Sequence, residues 1–186
     1  MGWSTMECDY DESTILEAVS HLKGEKKHSA NLAALGYRTI MMGDCWQQQQ
    51  RSFDGSILPD IRRFPAGVSG LAQRLHSSSP ESFRLSVYTS QASLTPSNRP
   101  GSFRHEYTDL LTFCNWGVDA VYVDHSCDVV DSKCWPLLNH SWALMHSASE
   151  ECVHAGGNKI DIVVNGCGPH LGGGMHDCGQ TVAQVS

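Results

Sequence analysis

WGVDAVYVDHSC, Trp116 to Cys127, is the stretch on which the reading of this chain turns. From Val118 to Val123 it is apolar or aromatic except for Asp119, and it runs straight into Asp124, His125, Ser126 and Cys127. A run of this length, entered from a helical pattern that closes at Trp116-Gly117, predicts a buried parallel strand. In parallel α/β folds, functional carboxylates project from the C-terminal ends of strands, which makes Asp124 the first candidate for a catalytic residue. The alternative role for Asp124 is an N-cap for the next turn.

Outward from that strand the pattern alternates. A helix is predicted over Phe103–Trp116 before it and over Trp135–His154 after it, with a further strand at Lys159–Val164. Upstream, Phe83–Tyr88 reads as a strand and Val68–His76 as the helix leading to it. Tyr37–Trp46 is an apolar strand ending in Gly43-Asp44-Cys45-Trp46. The segment before it spaces Ile15, Leu16, Val19 and Leu22 as a helix, passes through a polar insertion at Gly24–Asn31, and returns in a short helical turn closed by Gly36. Strands alternating with helices predict a parallel sheet with helical crossovers.

An open doubly wound sheet and a (βα)8 barrel both satisfy this alternation. No Gly-x-Gly-x-x-Gly follows the first strand, which weakens a nucleotide-binding fold. Asp44, Tyr88 and Asp124 fall at or near successive strand ends, as an active site assembled across a barrel mouth requires. With Met1-Gly2-Trp3 as the tail of a first strand, the chain supplies five strands. A barrel of about 250 residues needs roughly three more βα units. The expectation is therefore an α/β fold, an incomplete (βα)8 barrel of about five strands.

Composition narrows the function. The 186 residues fit one domain with a sizeable core. A net charge of −7, with no basic cluster beyond Lys26-Lys27, argues against a nucleic-acid partner. No apolar run approaches membrane-spanning length, and Met1-Gly2-Trp3 lacks the basic and apolar regions of a signal peptide. Eight cysteines suggest an oxidising compartment, with which the sequon Asn139-His140-Ser141 agrees.

The chain resembles glycoside hydrolase family 27, the α-galactosidase and α-N-acetylgalactosaminidase family, from Met1 to about Gly168. The resemblance is carried by the opening MGW with CDYDE (Cys8–Glu12), by LAALGYRTIMMGDCW, by RSFDGSILPDIRRFPAGVSGLAQRLHS (Arg51–Ser77), by RPGSFRHEYTDLLTFCNWGVD (Arg99–Asp119) and by VDHSC. It implies a (βα)8 catalytic domain over residues 1–168, a tail over 169–186 that departs from the family, and secretion or a lysosomal or vacuolar location. Asp124 occupies the place of the nucleophile in a retaining mechanism, in which a second carboxylic acid about 5 Å away protonates the leaving oxygen. Asp44 matches a carboxylate that binds galactose hydroxyls, Trp46 the aromatic just after it, and Tyr88 the strand-three tyrosine near the sugar. Cys8 and Cys45 match a disulfide pair of the family. An α-galactoside is the implied ligand, and no metal or organic cofactor is implied.

The departures concern the same pocket. Gly43 replaces the first of two adjacent aspartates, Tyr122 replaces a lysine two residues before the nucleophile, and Ser90 replaces the aspartate expected two residues past Tyr88. The second Trp of the opening motif is missing, strand five ends in NGCGP without a carboxylate, and the acid/base belongs to a later strand of the family. Cys127 has Pro96 at its usual partner position, leaving it free or paired otherwise, as with Cys134. Two sets, His125, Cys127 and Cys134 or His170, His176 and Cys178, offer nitrogen and sulfur ligands but lack zinc-finger spacing. His21, His76 and His105 read as surface residues, and Phe113 and Trp116 as core. Two functions follow: a retaining α-galactosidase, or a catalytically inactive relative, either a carbohydrate-binding pseudoenzyme or a fragment with no independent role. A five-stranded barrel portion further predicts an apolar inner face and two open edges, hence self-association.

Overall fold

The computed structural model describes residues 1–5, 8–124 and 134–165, with side chains described except at 134–139 and 164–165. The sequon residue Asn139, both candidate metal-ligand sets, Cys127 and the tail over 169–186 fall wholly or in part outside that description. Five strands, β1 (Gly2–Ser4), β2 (Thr39–Met42), β3 (Arg84–Ser90), β4 (Ala120–Asp124) and β5 (Asp161–Asn165), form one sheet in the order β1-β2-β3-β4-β5. Every pairing is parallel. The connecting helices are α1 (Glu12–Leu22), α2 (Gly67–His76), α3 (Glu106–Asn115) and α4 (Cys134–His154). Sequential order without a reversal is the winding of a barrel wall rather than of a doubly wound sheet, because right-handed crossovers between successive neighbours stack all helices on one face.

Local chemistry sets the element limits. Asp11 caps α1: its Oδ1 accepts the Thr14 amide at 2.9 Å, and the Thr14 hydroxyl returns to the cap. Gly36 ends the short 3₁₀ turn Ala33–Leu35 at φ +95°, a left-handed conformation suited to glycine. β2 stops at Met42, four residues before the expected Trp46. Cys45 turns left-handed at φ +72°, which strand geometry does not permit.

The two faces of the sheet differ in side-chain chemistry, although Ser86, Ser90 and Ala120 of the second are also buried. Ile40, Met42, Leu85, Val87, Thr89, Val121 and Val123 are all 0% exposed. Apart from Thr89, they pack into one cluster with Leu71 and Leu75 of α2, Leu110 and Phe113 of α3, and Met145 and Ala148 of α4. By the two-residue alternation of strands, the other face carries Ser4, Met41, Ser86 and Ala120 in one registered row, then Tyr88 and Tyr122, then Ser90 and Asp124. The expected apolar inner face is thus corrected. Met41 and, on β5, Val163 are its only aliphatic side chains larger than alanine among the described strand residues. The strands β1 and β5 are the sheet edges.

The helical layer is fastened by long-range contacts. A disulfide joins Cys114 of α3 to Cys152 of α4, with a Cα–Cα distance of 6.1 Å. Arg51 grips Asp109 of α3 through two parallel bonds of 2.7 and 2.6 Å, binding the β2–α2 loop to that helix. At the N-terminal edge of the sheet His76, expected as an unpartnered surface residue, lies 2.8 Å from Asp119, whose same oxygen accepts the Leu85 amide. No described helix is long and apolar enough to cross a membrane.

Candidate active site at the strand ends

Because β3 and β4 pair Tyr88 with Tyr122 and Ser90 with Asp124, alternation projects Tyr88, Tyr122 and Asp124 from the open face at the C-terminal edge. The Tyr88 hydroxyl donates to Asp124 Oδ2 at 3.0 Å. The two tyrosine rings stack with centroids 6.4 Å apart and planes 29° from parallel. Burial pushes the Tyr88 phenol well above its ordinary range. The Asp124 charge and the bond to that carboxylate add to the shift, with smaller contributions from Asp44 and Tyr122. Burial, then the charge of Asp124, also raises Tyr122. Both phenols therefore stay protonated at neutral pH and act as donors beside a carboxylate.

Asp44 is fixed by backbone amides on both oxygens: Oδ1 accepts the Cys45 N–H at 2.7 Å and Oδ2 the Ser97 N–H at 3.0 Å. The left-handed turn at Cys45 that permits this is held by the Cys8–Cys45 disulfide, with a Cα–Cα distance of 5.3 Å. Arg63 donates to the Cys8 carbonyl from the far side. The Asp44 carboxylate is thus positioned before any ligand arrives.

Trp46 takes a different place from the one its position in sequence suggests. It is 0% exposed, its ring meets Phe113 and Trp116 edge-on, and its indole N–H donates to the Tyr88 carbonyl at 2.8 Å. A ring with no open face does not pack on a sugar in this structure; it braces the backbone of Tyr88 from behind. Phe113 is buried and Trp116 packs against the core, as their helical spacing predicts.

Sequence reading missed three features of the site. Thr5 approaches β2 so closely that a Cβ added at Gly43 would stand 2.4 Å from the Thr5 carbonyl oxygen, while Thr5 Oγ1 accepts the Gly43 amide at 2.6 Å. Ser97, in the loop after β3, supplies the second amide to Asp44. Gln91, 2% exposed, donates its backbone N–H to the Asp124 carbonyl at 3.0 Å. The residues involved are small or neutral and lie in turns, so no periodicity or motif marks them. Among the described residues, no three His, Cys, Asp or Glu side chains are grouped as metal ligands.

A parallel sheet wound in barrel order, with carboxylates and tyrosines at its C-terminal edge, defines a barrel-type glycosidase scaffold. The chain belongs to the alpha galactosidase A family (Melibiase_2), whose model it matches over residues 1–155. It is 36% identical over 153 residues to an alpha-galactosidase of Coffea arabica, covering 79% of this chain and 38% of that protein. To the alpha-galactosidase of Cyamopsis tetragonoloba it is 36% identical over 129 residues, covering 67% of this chain and 29% of that one. The structure of the α-galactosidase of Saccharomyces cerevisiae with raffinose superimposes with a TM-score of 0.75 at 25% identity, covering 88% of this chain and 34% of that chain. A β-L-arabinopyranosidase of Geobacillus stearothermophilus, at 16% identity and a TM-score of 0.64, shares the fold. The chain spans about a third of the length of these α-galactosidases.

Proposed function

We propose that the strand-end site binds a terminal α-galactosyl residue and that Asp124 is the nucleophile of a retaining hydrolysis. The observation that carries this is the Tyr88–Asp124 bond on a face where Asp44 is already oriented. In the reaction an Asp124 oxygen forms a bond to the anomeric carbon as the glycosidic C–O bond breaks, and a second carboxylic acid gives its proton to the leaving oxygen. Water then cleaves the glycosyl ester, returning Asp124 as a carboxylate and the proton to the acid. By resemblance that acid comes from a later strand of the family. The Tyr88 hydroxyl orients the nucleophile, and the fixed Asp44 carboxylate accepts sugar hydroxyls.

The test is turnover of a chromogenic α-galactoside by the unmutated chain and by Asp124→Asn. The expected result is measurable release that Asp124→Asn abolishes with the melting temperature preserved. No turnover by the unmutated chain removes the hydrolase reading.

A second reading, a carbohydrate-binding relative without turnover, is favoured by the register: Asp124 is flanked by Ser90 and Asn165, neither of them a carboxylic acid. Binding without hydrolysis predicts that galactose raises the melting temperature, since a ligand of the folded state stabilises it by mass action. The absence of a shift at saturating sugar removes this reading. Under either, the domain bounds are those the resemblance implies, a barrel portion over 1–168, and the two disulfides support a secreted, lysosomal or vacuolar location. The β1 and β5 edges offer places where a second copy can pair.

A further inference from the structure

We propose that Tyr10 and Thr5 are positioning residues that clamp the Gly43 peptide and so set the direction in which Asp44 presents its carboxylate. The proposal rests on the carbohydrate-site reading and deepens it. β2 ends at Met42, so Asp44 lies beyond the strand ladder and its backbone must be fixed by other means. Two side chains supply them. The Tyr10 hydroxyl donates to the Gly43 carbonyl at 3.0 Å, and Thr5 Oγ1 accepts the Gly43 amide at 2.6 Å. Thr5 is anchored in turn, since its own amide donates to the Met41 carbonyl at 3.1 Å. The planar peptide leading into Asp44 therefore cannot rotate without breaking a buried hydrogen bond.

The segment Cys8–Tyr10 reaches both flanks of Asp44. Cys8 is joined covalently to Cys45 on one side, and Tyr10 bonds to Gly43 on the other. That segment is itself held: the Tyr10 ring packs on Phe64 with centroids 5.9 Å apart, and Arg63 donates to the carbonyls of Cys8 and Tyr10. An apolar side chain would fill the same space as Tyr10, which is 6% exposed. A buried phenol must instead find a partner for its hydroxyl, and this one finds it on the residue next to Asp44. Burial holds the phenol far above its ordinary range, opposed by the neighbouring Thr5 hydroxyl and the Arg63 charge and reinforced by the charge of Asp44. It is a donor at neutral pH. With both carboxylate oxygens on backbone amides and the backbone gripped before and after it, Asp44 meets a sugar hydroxyl without first paying to be ordered.

Two readouts on the 186-residue chain and its variants test the clamp: D-galactose affinity by calorimetry, and the backbone amide NMR signals of Asp44 and Cys45 without sugar. Tyr10→Phe keeps the ring on Phe64 and removes only the hydroxyl. It is expected to weaken galactose binding about fivefold, the scale of one lost hydrogen bond, and to shift both amide signals. Thr5→Val should act in the same direction, whereas Thr5→Ser, which keeps the hydroxyl, should restore the parent affinity and signals. Parent affinity or unmoved amide signals in Tyr10→Phe overturns the positioning role, while galactose binding by the parent chain sustains the site. Absence of galactose binding by the parent chain overturns the carbohydrate reading. The amide signals then decide the clamp alone: shifted signals sustain it as the device that orients Asp44, and unmoved signals overturn it too.

Discussion

The helix-covered face of the sheet and its open face are written in the same strands, one residue out of step, yet they obey different rules. On β3, Leu85 and Val87 are sealed against the helices while Ser86 and Tyr88 point to the opposite side. The first face holds the fold through apolar burial. The second carries the tyrosines and Asp124 of the candidate site. A five-stranded portion of a barrel can in this way carry a complete two-layer core while its inner face stays polar.

The largest expected effect contrasts neighbouring residues on the two faces. Leu85→Ala should lower stability by about 2–5 kcal/mol through lost burial and a residual cavity, whereas Ser86→Ala should change it by about 0.5 kcal/mol or less. Urea denaturation of both variants measures this, and similar losses would break the distinction between the faces.

Next comes the fastening of the helical layer. Cys152→Ser opens a bridge closing a sequence separation of 38 residues, and a loss of about 2–4 kcal/mol is expected from the freed unfolded chain. Thermal melting under non-reducing conditions reads it. A loss of a few tenths would show that packing of α3 on α4 suffices alone.

Gly43→Asp tests the open face. Restoring the family's carboxylate should fail to strengthen galactose binding and should destabilise by about 1–3 kcal/mol, because the new Cβ meets the Thr5 backbone rather than a movable side chain. Tighter binding without loss of stability would show that the β1 end yields.

The smallest expected effect is alkaline. The raised phenols of Tyr88 and Tyr122 keep their protons in the folded state after the unfolded chain has lost them. Their contribution is full below about pH 10 and is lost as pH rises from there towards the folded-state values. In spectrophotometric titration at 295 nm, Tyr88→Phe should remove one late-ionising group and flatten the alkaline decline of stability. An unchanged late phase would place Tyr88 in ordinary solvent.

Much of this organisation was legible in the sequence because it rests on local periodicity. The apolar run before Asp124, the helical spacing of Ile15, Val19 and Leu22, and Gly36 closing its turn each fixed an element within a few residues. Asp44, Tyr88 and Asp124 were placed at strand ends by that reading, and the structure puts Tyr88 and Asp124 in direct contact. Trp46 was misplaced because a tryptophan beside a site carboxylate has the same local sequence whether its ring faces ligand or core. Only packing against Phe113 and Trp116 decides between them.

By itself, then, the sequence determined the strand–helix alternation and the family. It also determined the candidate nucleophile, since each depends on residue order or on spacing within one element. The tertiary structure alone decided which face of the sheet the helices cover, that Thr5 closes the space beside Gly43, and that Cys114 meets Cys152. It alone shows that the Tyr88 hydroxyl is committed to Asp124 and that its ring stacks on that of Tyr122. These outcomes depend on contacts between residues up to tens of positions apart, which strand register and helix packing bring together and no local pattern encodes.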